Sequence, residues 1–442
     1  MLIIDPIIIV FGFVLAFNIR YGGAIAPKNW TPFLTVLPWM CIGTMILFAA
    51  LGLYDRRFYS IAQLVSSVAV GIIGVLFLTM AATFWLRGFA FPRSVMAIAL
   101  PLQVLLICSY RYLFWQIEML SVGRRKLLIV VADAEDNFAN REFTYLIKKS
   151  WFSVRKVVLY ADFVRTPGIM FDTDAVMISP FLARDNKAAV VEICVGAAKE
   201  VLVIPDMYDI LLSQGKMTSL SDLPVVQVQD LGFNTLQAFV KRVIDLLIAV
   251  LGTVLCAPVL VLCALLIKIS SPGPVIYKQE RVGRMGKNFN LYKFRTMVDG
   301  AEKLTGPILS TDQDPRITWC GRFLRAARLD EIPQLINVLK GDMSLVGPRP
   351  ERPFFVNQFA DTIPDYYRRH LVRPGITGLA QIYGKYSTLP EDKLKYDLYY
   401  ISNYSLIFDL QIVLRTLPIL LDFNSSKGIA GSDAGGSGQN LR

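Results

Sequence analysis

A single histidine, His370, serves a chain of 442 residues, and none of its six cysteines forms a Cys-x-x-Cys pair. The lone histidine excludes HExxH zinc helices and argues against His-based catalytic triads. Cys41, Cys108, Cys194, Cys256, Cys263 and Cys320 are expected as free thiols, mostly within apolar stretches where cysteine behaves as a small hydrophobe. Free thiols imply soluble parts in a reducing, cytoplasmic setting. Charge is scarce too: 18% of residues are Asp, Glu, Lys or Arg, against about 25% in soluble domains. With 54% apolar residues and a mean hydropathy of +0.46, disorder, collagen-like repeats and small disulfide scaffolds are excluded.

The apolar residues are concentrated at the start. Segments 3–17, 33–53, 61–86 and 94–115 each approach the roughly 20 residues that cross a bilayer, which predicts four transmembrane helices within 1–120. A signal peptide does not fit, because there is no basic leader and Pro27 follows Ala24-Ile25-Ala26. The dense basic clusters, Arg56-Arg57 and Arg124-Arg125-Lys126, fall on one side if the helices alternate, which puts both ends of this unit in the cytoplasm. Arg20, Lys28, Arg87 and Arg93 in the other loops keep that bias modest. Before Leu127 there are ten Lys/Arg against three Asp/Glu, a large part of the chain's net +11. Positive charge beside membrane segments suits anionic headgroups, and no nucleic-acid partner is expected.

From 121 to about 232 the composition turns soluble. Apolar runs at 127–131, 157–160, 175–178 and 201–204 alternate with helical patterns at 137–148 and 186–198, the rhythm of a small parallel α/β sheet. A dinucleotide site would put Gly-x-Gly-x-x-Gly after the first strand. Ala132-Asp133-Ala134-Glu135-Asp136 stands there instead, without glycine and with three acids, so the domain is expected to be Rossmann-like but to lack that site. A Gly/Ser-rich tail, 424–442, is expected to be flexible.

Segment 243–267 is again long enough to cross a bilayer, yet Pro258 interrupts it and basic residues flank both ends. A proline-kinked span and a helix that re-enters the same face both account for this pattern.

Chemistry gathers in the last third. Residues 288–297 alternate like a strand, which puts Lys293 and Arg295 on one face about 7 Å apart, a spacing that suits a diphosphate, with two solvated bases on a sheet face the plainer account of the pair alone. Asp312-x-Asp314 is a DxD, the pattern of metal-dependent sugar-nucleotide glycosyltransferases, but Asp before Pro315 is also an ordinary turn. Asp330 and Glu331 follow three arginines, and Pro333 predicts a helix start there or a few residues earlier. Two adjacent acids at a phosphate invite Mg2+, and an Asp can attack phosphorus; on spacing alone a solvated acidic helix start paired with the nearby arginines accounts for them equally well. Arg349 and Arg373, each beside prolines, read as rigid anion clamps or as surface turns.

Together these residues resemble the bacterial sugar transferase family, the monotopic phosphoglycosyl transferases. The matching stretches are 277–287, 293–297, 314–318, 329–334, 340–350 and 373–381. The whole chain looks like the large subgroup that initiates capsule, exopolysaccharide or O-antigen synthesis. The resemblance implies transfer of a sugar 1-phosphate from a UDP-sugar to undecaprenyl phosphate with release of UMP. It implies Asp330 as nucleophile through a covalent phosphosugar intermediate, Glu331 as its catalytic partner, and Mg2+ at both. It makes Arg325 a phosphate-binding residue beside Lys293, Arg295, Arg349 and Arg373, and makes 239–272 a re-entrant hairpin broken at Pro258. Two departures stand out: Arg328 replaces the usual Ser or Thr, and Ala257 the frequent Ser before the break proline.

The expected fold is therefore a membrane protein of α/β class. Four transmembrane helices (1–120) precede a Rossmann-like cytoplasmic domain (121–232), the hairpin (239–272) and a catalytic α/β domain at the interface (273–423). The expected setting is the bacterial inner membrane, active site on its cytoplasmic face, with membrane lipids as neighbours and a homodimer as the assembly. The last segment, 406–421, is expected as an interfacial or a core helix. Competing functions are a DxD glycosyltransferase releasing UDP, a membrane-anchored dehydratase or epimerase, which the missing glycine loop opposes, and a non-catalytic scaffold.

Overall fold

The computed structural model describes residues 1–54, 61–85, 92–121, 123–133, 135–136, 152–213, 215–228, 231–301, 314–384 and 388–421. They form two compact units, Met1–Met45 with Tyr54–Asp209, and Ile46–Leu53 with Ile210–Arg442.

The first unit opens with helices α1 (Ile4–Tyr21), α2 (Pro27–Ala50), α3 (Ile61–Trp85) and α4 (Arg93–Ser121). All four are long and apolar enough to cross a membrane. The helix α2 starts earlier than hydropathy suggested, because Pro27 is tolerated in a first helical turn. The helices α1 and α4 run antiparallel. Asp5 pairs with Arg111 at 2.6 Å at one end, Gln103 donates to the Ile9 carbonyl midway, and Arg20 donates to Ser94 at the other end. Gly12 permits this approach, since a Cβ there would lie 2.6 Å from Gln103 Cγ. Phe13, Phe17, Trp30 and Phe33 interlock α1 with α2.

The α/β sheet follows, with β1 (Arg125–Val131), β2 (Phe152–Leu159), α5 (Tyr160–Arg165), β3 (Ala175–Ile178), α6 (Arg184–Gly196), β4 (Glu200–Val203) and α7 (Met207–Leu212). The strands are parallel in the order β2-β1-β3-β4. Leu128 and Val130 of β1 pack into one core, Leu127, Ile129 and Val131 into the other; a strand buried on both faces reads as a continuous apolar run. Ligands of such sheets sit at the carboxyl ends where strand order reverses. There, Asp136 Oδ2 accepts from the Ala132 amide (3.1 Å) and from Ser179 Oγ (2.6 Å). The chain's own carboxylate thus stands at the β1–β3 crevice. The helix expected at 137–148 lies outside the described residues.

The second unit holds a hairpin, β5 (Lys216–Leu220) and β6 (Leu223–Gln227), and then α8 (Thr235–Ser270). Asn234 and Gln237 form a capping box that starts α8. At 36 residues it is about 54 Å long. Pro258 lies inside this helix, at the place where the hairpin expected at 239–272 would bend. Only a narrow stripe is buried: Lys241, Asp245, Ala249, Cys263 and Ile267. Leu247, Leu251, Val254, Leu255, Val261 and Leu262 point outward uncovered.

After α8 come the antiparallel pair β7 (Ile276–Val282) and β8 (Asn288–Phe294), then α9 (Trp319–Ala326), α10 (Gln334–Lys340) and β9 (Ser344–Val346). The chain continues through α11 (Pro353–Thr362), β10 (Gly375–Thr377), parallel to β9, α12 (Leu379–Tyr383), α13 (Pro390–Ser402) and α14 (Leu406–Leu421). Ala249 of α8 packs with Leu291, Val338 and Met343, and Cys263 and Ile267 with Phe294, Cys320 and Leu324. With Arg242 donating to the Val338 and Leu339 carbonyls, α8 rests on one domain near its start, at its middle and at its end. The helix α14 joins this core through Ile412 and Asp409, while Ile407 and Leu410 stay exposed. Among the described residues, five helices are long and apolar enough to span, which makes this a membrane-embedded protein.

Candidate active site

Strand β8 delivers Lys293 near its end, and a 3-10 turn, Leu329–Glu331, delivers the two acids. Arg328 starts that turn in the left-handed region, φ 56°, without a side-chain cap, so the Ser or Thr usual there is replaced by backbone strain of about 1–2 kcal/mol. The helix beyond it, α10, follows Pro333 but has only seven residues. The field at the acids is therefore set chiefly by side-chain cations.

Glu331 Oε1 accepts from Lys293 Nζ and from Arg349 Nη2, both at 2.8 Å. Burial opposes its ionisation, yet Arg349 and Lys293 hold its carboxyl well below the usual range. Asp330 behaves oppositely. Burial and then the Glu331 carboxylate push it up, against Lys293, Arg325 and Arg328. Two adjacent acids with opposed shifts are the arrangement of a site that separates roles between carboxylates.

Arg325 lies on α9, where Thr318 caps the helix by accepting from the Gly321 amide. Its Nε donates to Thr296 Oγ1 at 2.8 Å. Gly321 packs on the Thr296 carbonyl so closely that a Cβ would fall 2.0 Å from the oxygen. That contact sets where α9 presents Arg325.

The structure thus gathers Asp330, Glu331, Lys293, Arg325 and Arg349, but not every expected residue. Strand β8 ends at Phe294, so Arg295 leaves the alternating face. Its guanidinium donates to the carbonyls of Pro272 (2.8 Å) and Ser271 (2.7 Å), which end α8. Lys293 and Arg295 therefore form no joint diphosphate grip; Arg295 fastens the membrane helix to β8. Arg373 Nε donates to the Gly341 carbonyl at 3.0 Å, and burial, then Arg242 and Arg284, lower its pKa. It lines a small cleft with Lys241, Asp245, Arg284 and Ser344. Pro258 lies inside α8, 72 residues before Asp330 in sequence.

Asp314 accepts from the Arg316 amide, Nε and Nη2 and is held low by Arg316, the first cause among them. This is a closed turn, and Asp312 lies outside the described residues. Among the described residues no group of three or more His, Cys, Asp or Glu gathers. Asp330 and Glu331 are the adjacent acids of the site, and Mg2+ commonly takes one or two protein carboxylates and completes its shell with water and phosphate.

Sequence reasoning passed over Arg281, Glu351, Arg369 and Asp397, which surround the Arg349 loop as two ion pairs, 3.6 and 2.8 Å. Their signal was present only as charged residues within otherwise core-like elements.

Residues 236–422 match the bacterial sugar transferase family. An N-acetylgalactosaminephosphotransferase of Aeromonas hydrophila, named for UDP-N-acetylgalactosamine and undecaprenyl phosphate, is 47% identical over 191 residues, 42% of this chain and 45% of that protein. The UDP-glucose:undecaprenyl-phosphate glucose-1-phosphate transferase of Escherichia coli (strain K12) is 42% identical over 223 residues, 49% of this chain and 48% of that protein. The exopolysaccharide production protein PSS of Rhizobium leguminosarum bv. phaseoli is 40% identical over 187 residues, 40% of this chain and 92% of that protein. The chain belongs to the bacterial sugar transferase family. It spans about half the length of the first two relatives. The sugar transferase match begins within α8 and runs through α14, so it holds the whole Asp330 site and leaves α1–α4 and the parallel sheet outside it.

Proposed function

We propose that the protein transfers a sugar 1-phosphate from a UDP-sugar to undecaprenyl phosphate, giving undecaprenyl-diphosphate-sugar and UMP, with Asp330 as nucleophile. The observation that carries this reading is one raised carboxyl, Asp330, beside a cation-held Glu331 and near Lys293, Arg325 and Arg349. Relatives named for undecaprenyl phosphate with N-acetylgalactosamine or glucose support the acceptor and the donor class.

In the first half-reaction an Asp330 oxygen attacks the β-phosphorus. The bond from that phosphorus to the bridging oxygen breaks, and UMP departs with the electron pair. The sugar phosphate then rests on Asp330 as an acyl phosphate. In the second half-reaction an oxygen of the lipid phosphate attacks the same phosphorus, and Asp330 leaves as a carboxylate. One phosphoanhydride replaces another, so no energy input is needed. Burial and the Glu331 charge make Asp330 the more basic acid, which suits the nucleophile, while Lys293 and Arg349 keep Glu331 ionised. Arg325 and Arg349 supply fixed cations for phosphate oxygens, the positioning and charge stabilisation on which phosphoryl transfer depends. Mg2+, held by Asp330 and Glu331, would neutralise the diphosphate.

The same reading makes α8 re-entrant at the cytoplasmic face of a bacterial inner membrane. Arg242 donates to the Val338 and Leu339 carbonyls at one end of α8, and Arg295 binds Ser271 and Pro272 at the other. A domain lies on one side of a bilayer, so a helix whose two ends it grips supports entry and exit on one face. Pro258, which removes a helix hydrogen bond, gives a place to bend. A homodimer through the parallel-sheet domain belongs to this proposal, supported by exposed Phe171, Phe181 and Val195; an unchanged oligomeric mass after deletion of 126–230 would contradict it.

The test is the released nucleotide. Purified protein with undecaprenyl phosphate, Mg2+ and a panel of UDP-sugars should yield UMP with at least one sugar. UDP would instead point to a glycosyltransferase, and neither nucleotide to a scaffold.

A further inference from the structure

Arg349 sits between Pro348 and Pro350, neither of which has an amide N–H, so this loop has few donors with which to satisfy its own carbonyls. Two arginines from other elements supply them. Arg369, in the 3-10 turn Tyr366–Leu371, donates from Nη2 to the Arg349 carbonyl at 2.9 Å. Arg281, on β7, donates from Nη1 to the Pro350 carbonyl at 2.9 Å.

Each arginine is itself held by an acid. Arg369 pairs with Asp397 of α13 at 2.8 Å, with side-chain exposures of 5% and 2%, and Arg281 pairs with Glu351 at 3.6 Å while its Nε and Nη2 donate to Gln279 Oε1 at 3.1 and 2.6 Å. Arg369 also donates from Nη1 to the Tyr366 hydroxyl. A buried ion pair contributes little net stability compared with apolar side chains of the same volume. What it does provide is a fixed direction for the guanidinium. Here that direction is onto the main chain of the residue whose own guanidinium reaches Glu331 at 2.8 Å.

We propose that Arg369, oriented by Asp397, and Arg281, oriented by Gln279 and Glu351, are positioning residues: they clamp consecutive carbonyls of the Arg349-Pro350 loop and so fix the reach of Arg349 to Glu331. The proposal rests on the reading that Glu331 and Arg349 serve the phosphosugar transfer. Neither positioning arginine needs to touch substrate. Asp397, Arg369 and Arg349 form a relay from α13 to the acid pair, and Arg281 reaches the same loop independently from β7.

The test uses the full chain in its membrane mimic, with Asp397→Asn and Arg281→Lys each made alone and in an Arg349→Met background. Asp397→Asn keeps the side-chain shape, and Arg281→Lys keeps the charge. Two readouts are taken: the rate of UMP release, and hydrogen exchange of the amides across 346–351, which needs no activity. Each single variant should slow UMP release by roughly ten-fold, and that loss should vanish when Arg349 is already Met, because residues acting through one group are not additive. Exchange across 346–351 should quicken in both variants while the β7–β8 amides stay as protected as before. Losses that multiply undiminished in the Arg349→Met background, or unchanged exchange, would overturn the clamp. Wild-type protein that releases no UMP would sink the transfer reading instead, and the exchange arm would then decide the clamp alone.

Discussion

Lys293 Nζ lies 2.8 Å from Glu331 Oε1, which ties the end of strand β8 to the turn that carries Asp330. The contact keeps Glu331 ionised beside an acid that burial and Glu331 itself push up. Lys293→Met should therefore lower UMP release by roughly 10²-fold, the scale of losing one preorganised charge partner. Lys293→Arg should recover part of it. A Lys293→Met enzyme within two-fold of wild type would contradict this role.

Gly321 governs Arg325 by close approach. A Cβ at this position would meet the Thr296 carbonyl oxygen at 2.0 Å, so Gly321→Ala must displace α9 or the strand end. The expected destabilisation is about 1–3 kcal/mol, as for overpacked cores. Activity should fall further than Arg325→Lys alone, because the Arg325–Thr296 bond moves with the helix. Thermal melts and UMP release on the same preparations check both statements.

Asp397 gives the domain a signature in pH. Burial, with Glu351 adding to it and Arg369 and Lys393 opposing, pushes its carboxyl up to about 6; an unfolded Asp titrates near about 3.9. Between those values the folded state holds the extra proton, so this group's contribution to stability falls as pH rises from about 4 to 6. The change amounts to about 2–3 kcal/mol at most. Melting curves of wild type and Asp397→Asn across that window should diverge in slope, and parallel slopes would contradict it.

Helix α8 makes a topological prediction. Single cysteines at Gln237 and Lys268, in a chain whose native cysteines are replaced by serine, should react with an impermeant maleimide from the same side of sealed vesicles. Reaction from opposite sides would make α8 a span and would contradict re-entry.

Much of the architecture was legible in the sequence because it is written locally. Four apolar stretches became α1–α4, and the apolar run at 127–131 became the doubly buried β1. Lys293 was legible from strand alternation, Asp330 and Glu331 as adjacent acids after three arginines, Arg349 as an arginine between prolines, and Arg325 through the family resemblance. Arg295 was not, because alternation says nothing of where a strand stops, and β8 stops at Phe294. Lys241 and Asp409, 168 residues apart, meet at 2.5 Å. Arg369 and the Arg349 carbonyl meet only because the 3-10 turn is packed against this loop. Such partners are chosen by tertiary packing, which no single stretch of sequence contains.

The most direct test of the central claim is a single turnover without the lipid acceptor. Protein mixed with UDP-sugar and Mg2+ alone should release about one UMP per active site, a burst expected of a covalent intermediate, and digestion should yield a phosphosugar adduct on the peptide containing Asp330. Adding undecaprenyl phosphate should discharge it, and Asp330→Asn should show neither burst nor adduct. UMP release that depends strictly on the acceptor, with no adduct on Asp330, would contradict the account.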